Sequence, residues 1–459
     1  MTPDPSSDCG AFDWQPQKIA GQLVSDLMGE FVSANRFLQT FGQKLAEQTG
    51  TRLIDWVDHM EIDLAERPPW KQQLLESGFQ RIPGLTREIY SHPGALFPLI
   101  ANSEDGTNRL ALKVESVVDF LTAQQIQATI EEPACAARRI AKVSDNNSHQ
   151  IWAIEKHGVR SWENPGSSQS LPSLVTQIRE KFMMRSRWTD SSTEGFRIAD
   201  QLIDESIQQV GTDRTCDLFF ETERHYWQLR NRAARTQKAR QDAMGLGWAN
   251  HDHHTYRSSR ESFAQLVAIL EKLGFQCRER FYAGAEAGWG AQVLEQPVCG
   301  LVVFADVDLT EEELAGDFAH QGLAPRQELG TVGLWCALHG EAFLEAGLHH
   351  LECQFDYRLA RDVLAGDGIN SMDPFTDFDF LKQCFTTAEN WPVDGKRIRE
   401  LLERGQISEA QAEEFGRNGA VGSHLEILER NDGFKGFNQT GVSKIIARTD
   451  PRKIQTHTG

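Results

Sequence analysis

Histidine supplies the first chemical signal in this sequence. Of 14 histidines, three crowd into Asn250-His251-Asp252-His253-His254-Thr255, and two more stand together at His349-His350. Neutral imidazole is the commonest side-chain ligand for a divalent metal. The segment around 249–256 alternates in the manner of a strand, which places His251 and His253 on one face and His254 on the other. The second pair opens another strand-like run, His349-His350-Leu-Glu-Cys-Gln-Phe. A third run, Ser423-His-Leu-Glu426-Ile-Leu-Glu429-Arg430, puts Glu426 and Leu428 on one face and Leu425, Ile427 and Glu429 on the other. Two histidines and one carboxylate from three strands would make a facial triad, which leaves about three coordination positions open and suits non-haem Fe(II) with oxygen. Against this stands the plain reading that a histidine cluster is more often a surface or satisfied-core feature, and that Glu426 faces solvent. The longer His-x-His-x-Asp-His pattern of a zinc hydrolase is absent.

Such residues must be carried by elements, and the chain supplies them in order. Between 17 and 50, apolar residues at helical spacing (Ile19, Leu23, Leu27, Phe31, Leu38, Phe41, Leu45) predict one or two amphipathic helices. Residues 52–62 read as a strand and 70–77 as a helix closing on Gly78. Strand-like runs recur at 95–100, 110–114 and 151–154. After a loop beginning at Gly166, the pattern from 174 to about 244 is helical. Its last helix, 221–241, carries Arg224, Arg230, Arg232, Arg235, Lys238 and Arg240, a solvated or inter-domain face before it is a docking patch. Beyond Gly245 come a strand at 249–256, a helix at 262–273 ending on Gly274, and strands at 275–282, 291–294 and 299–305.

The two halves can be laid over one another. Asp58-His59 precedes Gly78-Phe79-Gln80 by 19 residues from histidine to glycine, and Asp252-His253 precedes Gly274-Phe275-Gln276 by 21. A weaker echo pairs Ser148-His149 with Ser423-His424. Order and spacing agree with a duplicated βαβββ module.

Composition bounds the rest. At 459 residues, 40% hydrophobic and 25% charged, the chain has length for two or three units with a sizeable core. Its formal charge of −19 would repel a phosphate backbone and an anionic membrane, so neither nucleic acid nor membrane is an expected partner. The eight cysteines show no Cys-x-x-Cys spacing, which argues against a zinc ribbon or a disulfide scaffold. No uninterrupted apolar stretch reaches about 18 residues, and the acidic, proline-containing start lacks the features of a signal peptide. The expectation is a cytoplasmic protein with reduced thiols; oligomeric state is not legible.

At this point the residues resemble a known family. Asp252-His253-His-Thr-Tyr-Arg257, with the helix ending Leu273-Gly274-Phe275, is similar to the Asp-His-x-x-x-Arg opening of the 2-oxoadipate dioxygenase/decarboxylase family of the vicinal-oxygen-chelate superfamily. The resemblance makes His253 the first iron ligand. His349-His350-Leu351 resembles the family's Asn-His-Leu string, which implies His350 as the second, with His349 in the place of the asparagine. Glu426-Ile-Leu-Glu-Arg430 matches the strand that carries the third ligand, Glu426. The following Gly433-Phe434-Lys-Gly436-Phe437 resembles a stretch of 4-hydroxyphenylpyruvate dioxygenase. Arg257 corresponds to the family arginine. Four residues after His253 on a strand, it shares that face, and its planar guanidinium suits a substrate carboxylate.

The resemblance spans roughly 246–306 and 346–440, while 310–345 fits none of its pattern. It implies an α+β fold of duplicated βαβββ modules with mixed sheets and additional helices. The corresponding division is N-terminal helices over 1–50, a degenerate module over 51–165, a helical insert over 166–245 and a metal-binding catalytic domain over 246–459. The first half has His59 in the first-ligand place but no histidine over 110–115, so it reads as non-catalytic, with Glu155 and His157 structural. The implied activity is that of an Fe(II) dioxygenase acting on a 2-oxo acid and O2, with decarboxylation and hydroxylation to a 2-hydroxy acid, as in lysine breakdown. The alternatives are another metalloenzyme of the superfamily (lyase, isomerase or ring-cleaving dioxygenase) and a catalytically inactive binding protein.

Overall fold

A computed structural model describes residues 13–146, 148–162, 172–437 and 450–452. The acidic start with Cys9 and the loop following Gly166 lie outside the described residues. Two sheets organise the chain. The first has the order β2-β3-β4-β1-β5-β7-β6, built from β1 (Val57–Ile62), β2 (Gln80–Arg81), β3 (Ile89–Ser91), β4 (Leu99–Asn102), β5 (Asn108–Lys113), β6 (Arg138–Asn146) and β7 (His149–Lys156). The second has the order β13-β14-β16-β12-β8-β11-β10-β9. Its strands are β8 (His251–Arg257), β9 (Gln276–Tyr282), β10 (Trp289–Gln296), β11 (Leu301–Asp308), β12 (His350–Gln354), β13 (Thr376–Phe378), β14 (Leu381–Phe385) and β16 (Ala420–Arg430), with β15 (Glu389–Trp391) added on β16.

Strand order shows how the repeats are built. In β8-helix-β9-β10-β11 the first strand lies parallel to the last, and the three later strands form an antiparallel meander. The unit β12-helix-β13-β14-β16 repeats that arrangement, and β8 pairs antiparallel with β12 to join the two. The first sheet has the same plan. There β1 is parallel to β4, β5 is parallel to β7, and β1 joins β5 antiparallel. Each half is thus a pair of βαβββ-type modules in a mixed sheet, and the fold class is α+β with additional helices. The second module of the first half is shortened: only β6 precedes β7, and Ile130 bridges Ala141 where a further strand would run.

Several expected boundaries shift. Leu53–Trp56 is a 3-10 turn, so the first strand begins at Val57. The helix expected over 221–241 is two helices, Thr212–Gln228 and Arg232–Ala243, because Asn231 leaves helical geometry and its side chain caps the Ala234 amide at 2.8 Å. The basic residues there act as struts. Arg240 binds Asp367 and the carbonyls of Gln48 and Val363, and Arg230 binds the carbonyls of Glu345 and Ala346. The unassigned stretch 310–345 contributes the helix Thr331–His339, whose buried Trp335 donates to the Gly422 carbonyl of β16.

The helices 172–243 cover one face of the second sheet. His254, Tyr256, Leu351, Cys353, Leu425 and Ile427 point into that interface and are buried. Within it Glu223, with no exposed side-chain surface, pairs with Arg185 and Arg187 and accepts a 2.9 Å bond from the Tyr256 hydroxyl. This buried ion cluster fixes the back of β8. Glu223→Ala is expected to lower unfolding free energy by about 3–5 kcal/mol, because it strands two buried guanidinium groups; urea denaturation checks it. The opposite face of the sheet holds the site.

Candidate metal centre

β8 delivers its residues to this face through a local irregularity. Pairing with β12 matches Glu352 to His253 and Cys353 to His251, skipping Asp252, so a bulge interrupts the alternation. His251 therefore does not share the face of His253, as strict period-2 alternation would require. Its ring lies 5.2 Å from His254 and its Nδ1 is 2.8 Å from the Trp248 carbonyl, and burial, with Arg224 nearby, lowers its pKa to about 3. His254 sits behind the sheet against Phe220. Of the three clustered histidines, only His253 reaches the cavity.

Cross-strand register then sets two rows. His253 on β8 lies opposite Glu352 on β12, which lies opposite Glu426 on β16. Beside it, Thr255 lies opposite His350, and His350 opposite His424. The structure brings His253, His350 and Glu426 together: one ligand atom from each lies within 4.8 Å of the others, and all three are buried. His350 Nε2 stands 3.0 Å from Glu426 Oε2 and 2.9 Å from Thr255 Oγ1. Gln383 Nε2 donates to Glu426 Oε1 at 3.2 Å, leaving Oε2 toward the histidines.

The surroundings orient these groups as a metal would require. His253 Nδ1 lies 3.1 Å from Asp252 Oδ2, and Asp252 is in turn paired with Arg430 at 3.1 Å. Burial works to raise the Asp252 pKa, but the charge of Arg430 and the contact with His253 outweigh it and hold the carboxyl well below its ordinary range. An ionised Asp252 fixes the Nδ1–H tautomer and turns the Nε2 lone pair toward the cavity. Burial lowers the His253 pKa, which favours the neutral, ligating form. The donor set fits a divalent metal with an open coordination side. Asp252→Asn is expected to weaken metal binding about 10–100-fold without removing a ligand; anaerobic Co(II) titration reads the change.

The cavity has a volume of about 90 Å³. Phe281, Trp289, Phe304, Phe385 and Phe437 supply its apolar wall, and Phe304 and Phe437 meet edge to face at 4.4 Å. Phe437 also lines a larger cleft of about 1360 Å³ between the two halves, together with Asp252 and Arg430. Arg257 enters the small cavity from β8 and is almost wholly buried, and its Nε and Nη1 have no hydrogen-bond partner among the described residues. Opposite it on β11 stands Asp306. Burial raises the Asp306 pKa to about 8 against the opposing charge of Arg257.

Every residue expected at the site from sequence thus lines this one cavity: His253, His350, Glu426 and Arg257. Glu429 lies outside it, accepting from the Tyr357 amide at 2.9 Å. His349 lines the cavity from beside Trp335, with Nδ1 3.2 Å from the Gly422 carbonyl. Not anticipated were Glu352, Asp306, Gln383 and His424. Glu352 had a readable signal, since it follows His350 by two residues on a strand and so shares its face.

The first half has no equivalent centre among the described residues. His59 bonds Asp58 at 2.7 Å and packs on Trp162, while Ala111 faces it from β5 and Trp152 faces Ala111 from β7. Arg109 pairs instead with Glu61 at 2.9 Å. Glu155 accepts from the Val117 amide at 2.8 Å and His157 lies between Glu155 and Asp217, both structural contacts. No helix among the described residues is long and apolar enough to cross a membrane.

No family model matches the chain, and no curated protein is significantly similar to it. Solved structures are similar at low identity. A mutant of 4-hydroxymandelate synthase from Streptomyces coelicolor is 10% identical over 86% of this chain and 98% of its own, with a TM-score of 0.25. An uncharacterised protein from Shigella flexneri is 13% identical over 61% and 84%, with a TM-score of 0.25. Methylmalonyl-CoA epimerase from Mycobacterium tuberculosis is 11% identical over 40% and 88%, with a TM-score of 0.23. At such scores the functional reading falls to the site's own residues.

Proposed function

We propose that this protein is a non-haem Fe(II) dioxygenase that acts on a 2-oxo acid, with decarboxylation and hydroxylation to a 2-hydroxy acid one carbon shorter. One observation carries the reading: two buried histidines and a carboxylate converge in a cavity that also receives a buried guanidinium, two of whose donors have no partner among the described residues. His253, His350 and Glu426 would hold the metal, which when bound supplies the oxygen binding and electron transfer that no side chain provides. The remaining chemistry belongs to the chain. Asp252 keeps a proton on His253 Nδ1 throughout, and Gln383 holds the Glu426 carboxylate in one orientation. Arg257 pairs with a substrate carboxylate and sets which end of the acid enters first. The aromatic wall packs against the carbon chain and keeps bulk water from the reacting carbons.

The net reaction consumes one O2 per oxo acid. One oxygen atom enters the new carboxylate, the other becomes the hydroxyl, and the original carboxylate leaves as CO2. The motif resemblance makes a diacid such as 2-oxoadipate the substrate to test first, with Arg257 receiving its distal carboxylate and the 2-oxo acid end facing the histidines. Cytoplasmic placement and the division at 51–165, 166–245 and 246–459 belong to the same reading. The test is an oxygen-uptake screen of anaerobically Fe(II)-loaded protein across 2-oxo acids of graded chain length, with CO2 and hydroxy-acid products measured. Uptake with none of them sinks the proposal, and turnover without oxygen would point to a lyase or isomerase.

A further inference from the structure

Glu352 has no assigned work in the chemistry above, and its position demands one. Its side chain has no exposed surface and sits at the centre of the row His253–Glu352–Glu426. Its Oε2 lies 2.7 Å from His253 Nε2, the nitrogen that Asp252 leaves free for a metal. Neither Glu352 oxygen accepts a hydrogen bond among the described residues. A buried carboxylate without donors is strongly unfavourable, and here it abuts both a lone pair and a second carboxylate. A cation shared between these groups would relieve both contacts. We infer that Glu352 is a fourth protein ligand to the divalent metal held by His253, His350 and Glu426, and that substrate displaces it.

The inference rests on the metal reading of that site and adds a chain-specific feature to it. Three ligands leave about three of six positions open, enough for a bidentate 2-oxo acid and O2 together. A fourth leaves about two, so an oxo acid bound through two oxygens would fill the site until Glu352 withdraws. The metal is thereby covered in the resting protein and opened by the acid.

The experiment is anaerobic Co(II) titration, followed by visible absorption, of wild type, Glu352→Gln, Glu426→Gln and His253→Ala. Glu352→Gln is expected to bind Co(II) at least about 10-fold more weakly than wild type, with a d–d spectrum of altered ligand count. Adding the oxo acid should bring the two spectra together. Equal affinity and an unchanged spectrum in Glu352→Gln overturn the inference while leaving the metal site standing, provided Glu426→Gln and His253→Ala lose Co(II). If wild type binds no Co(II), both readings fall together. A crystal structure of Co(II)-loaded wild type decides independently of any variant's folding: a Glu352 oxygen within about 2.2 Å of the metal supports the inference, and one beyond about 3 Å overturns it.

Discussion

Glu426→Gln and His253→Ala are each expected to lose metal by more than about 100-fold in affinity, and oxygen consumption with it. Changes to groups that only orient a ligand reach about 10–100-fold, so removal of a ligand atom should exceed that range. The glutamine variant is the sharper of the two. It preserves the length of the side chain on β16 and exchanges one oxygen for an amide nitrogen that cannot ligate. Behind Glu426, Leu425 and Ile427 remain seated against the helices, so the strand keeps its place. Melting of the apo variant should therefore stay near that of wild type. The rise in melting temperature on adding Fe(II) or Co(II), worth about 2.7 kcal/mol at a metal concentration of 100 Kd, should vanish. A variant that keeps this rise would remove Glu426 from the metal centre.

The residues at the heart of this result were legible because strand periodicity and motif spacing both bear on them. On β16 the alternation separates Glu426 from Glu429, and the fold keeps them apart as the alternation requires. On β8 the same rule fails at one residue. The skipped pairing at Asp252 turns His251 to the rear, and a bulge of that kind leaves no mark in residue types. Cross-strand register is the second hidden quantity. That Glu352 lies between His253 and Glu426, and Asp306 opposite Arg257, follows from how strands distant in sequence align. The repeat was visible through Asp58-His59 and Asp252-His253, whereas the partners that the strands of the first half received were not. Ala111 and Trp152 stand where β12 and β16 present carboxylates. The break at Asn231 was missed because the helical apolar pattern resumes in phase after a short turn, and only the capping side chain reveals it.

Arg257→Ala is expected to lower kcat/KM for the oxo acid by about 30-fold to several thousand-fold, the equivalent of roughly 2–5 kcal/mol for one partner of a buried charge pair. Arg257→Lys should restore only a small part, since a point charge on a flexible stem does not reproduce the planar fork. Asp306 makes this interaction depend on pH in a defined direction. With its pKa raised to about 8 by burial, its carboxyl is neutral at pH 7, and the Arg257 charge is available to the substrate. As pH rises through that value Asp306 ionises, faces Arg257 across β8 and β11, and competes with the substrate carboxylate. KM should climb accordingly, while a metal ion in the cavity draws the midpoint lower. The same group governs stability with the same sign. The folded protein holds a proton that the unfolded chain releases near pH 4, so the contribution of Asp306 declines from about pH 4 to about pH 8. Asp306→Asn should flatten the KM profile and remove that part of the stability slope. A steep rise in KM that persists in Asp306→Asn would assign the titration to another group and break the pairing of Asp306 with Arg257 as the element that tunes carboxylate binding.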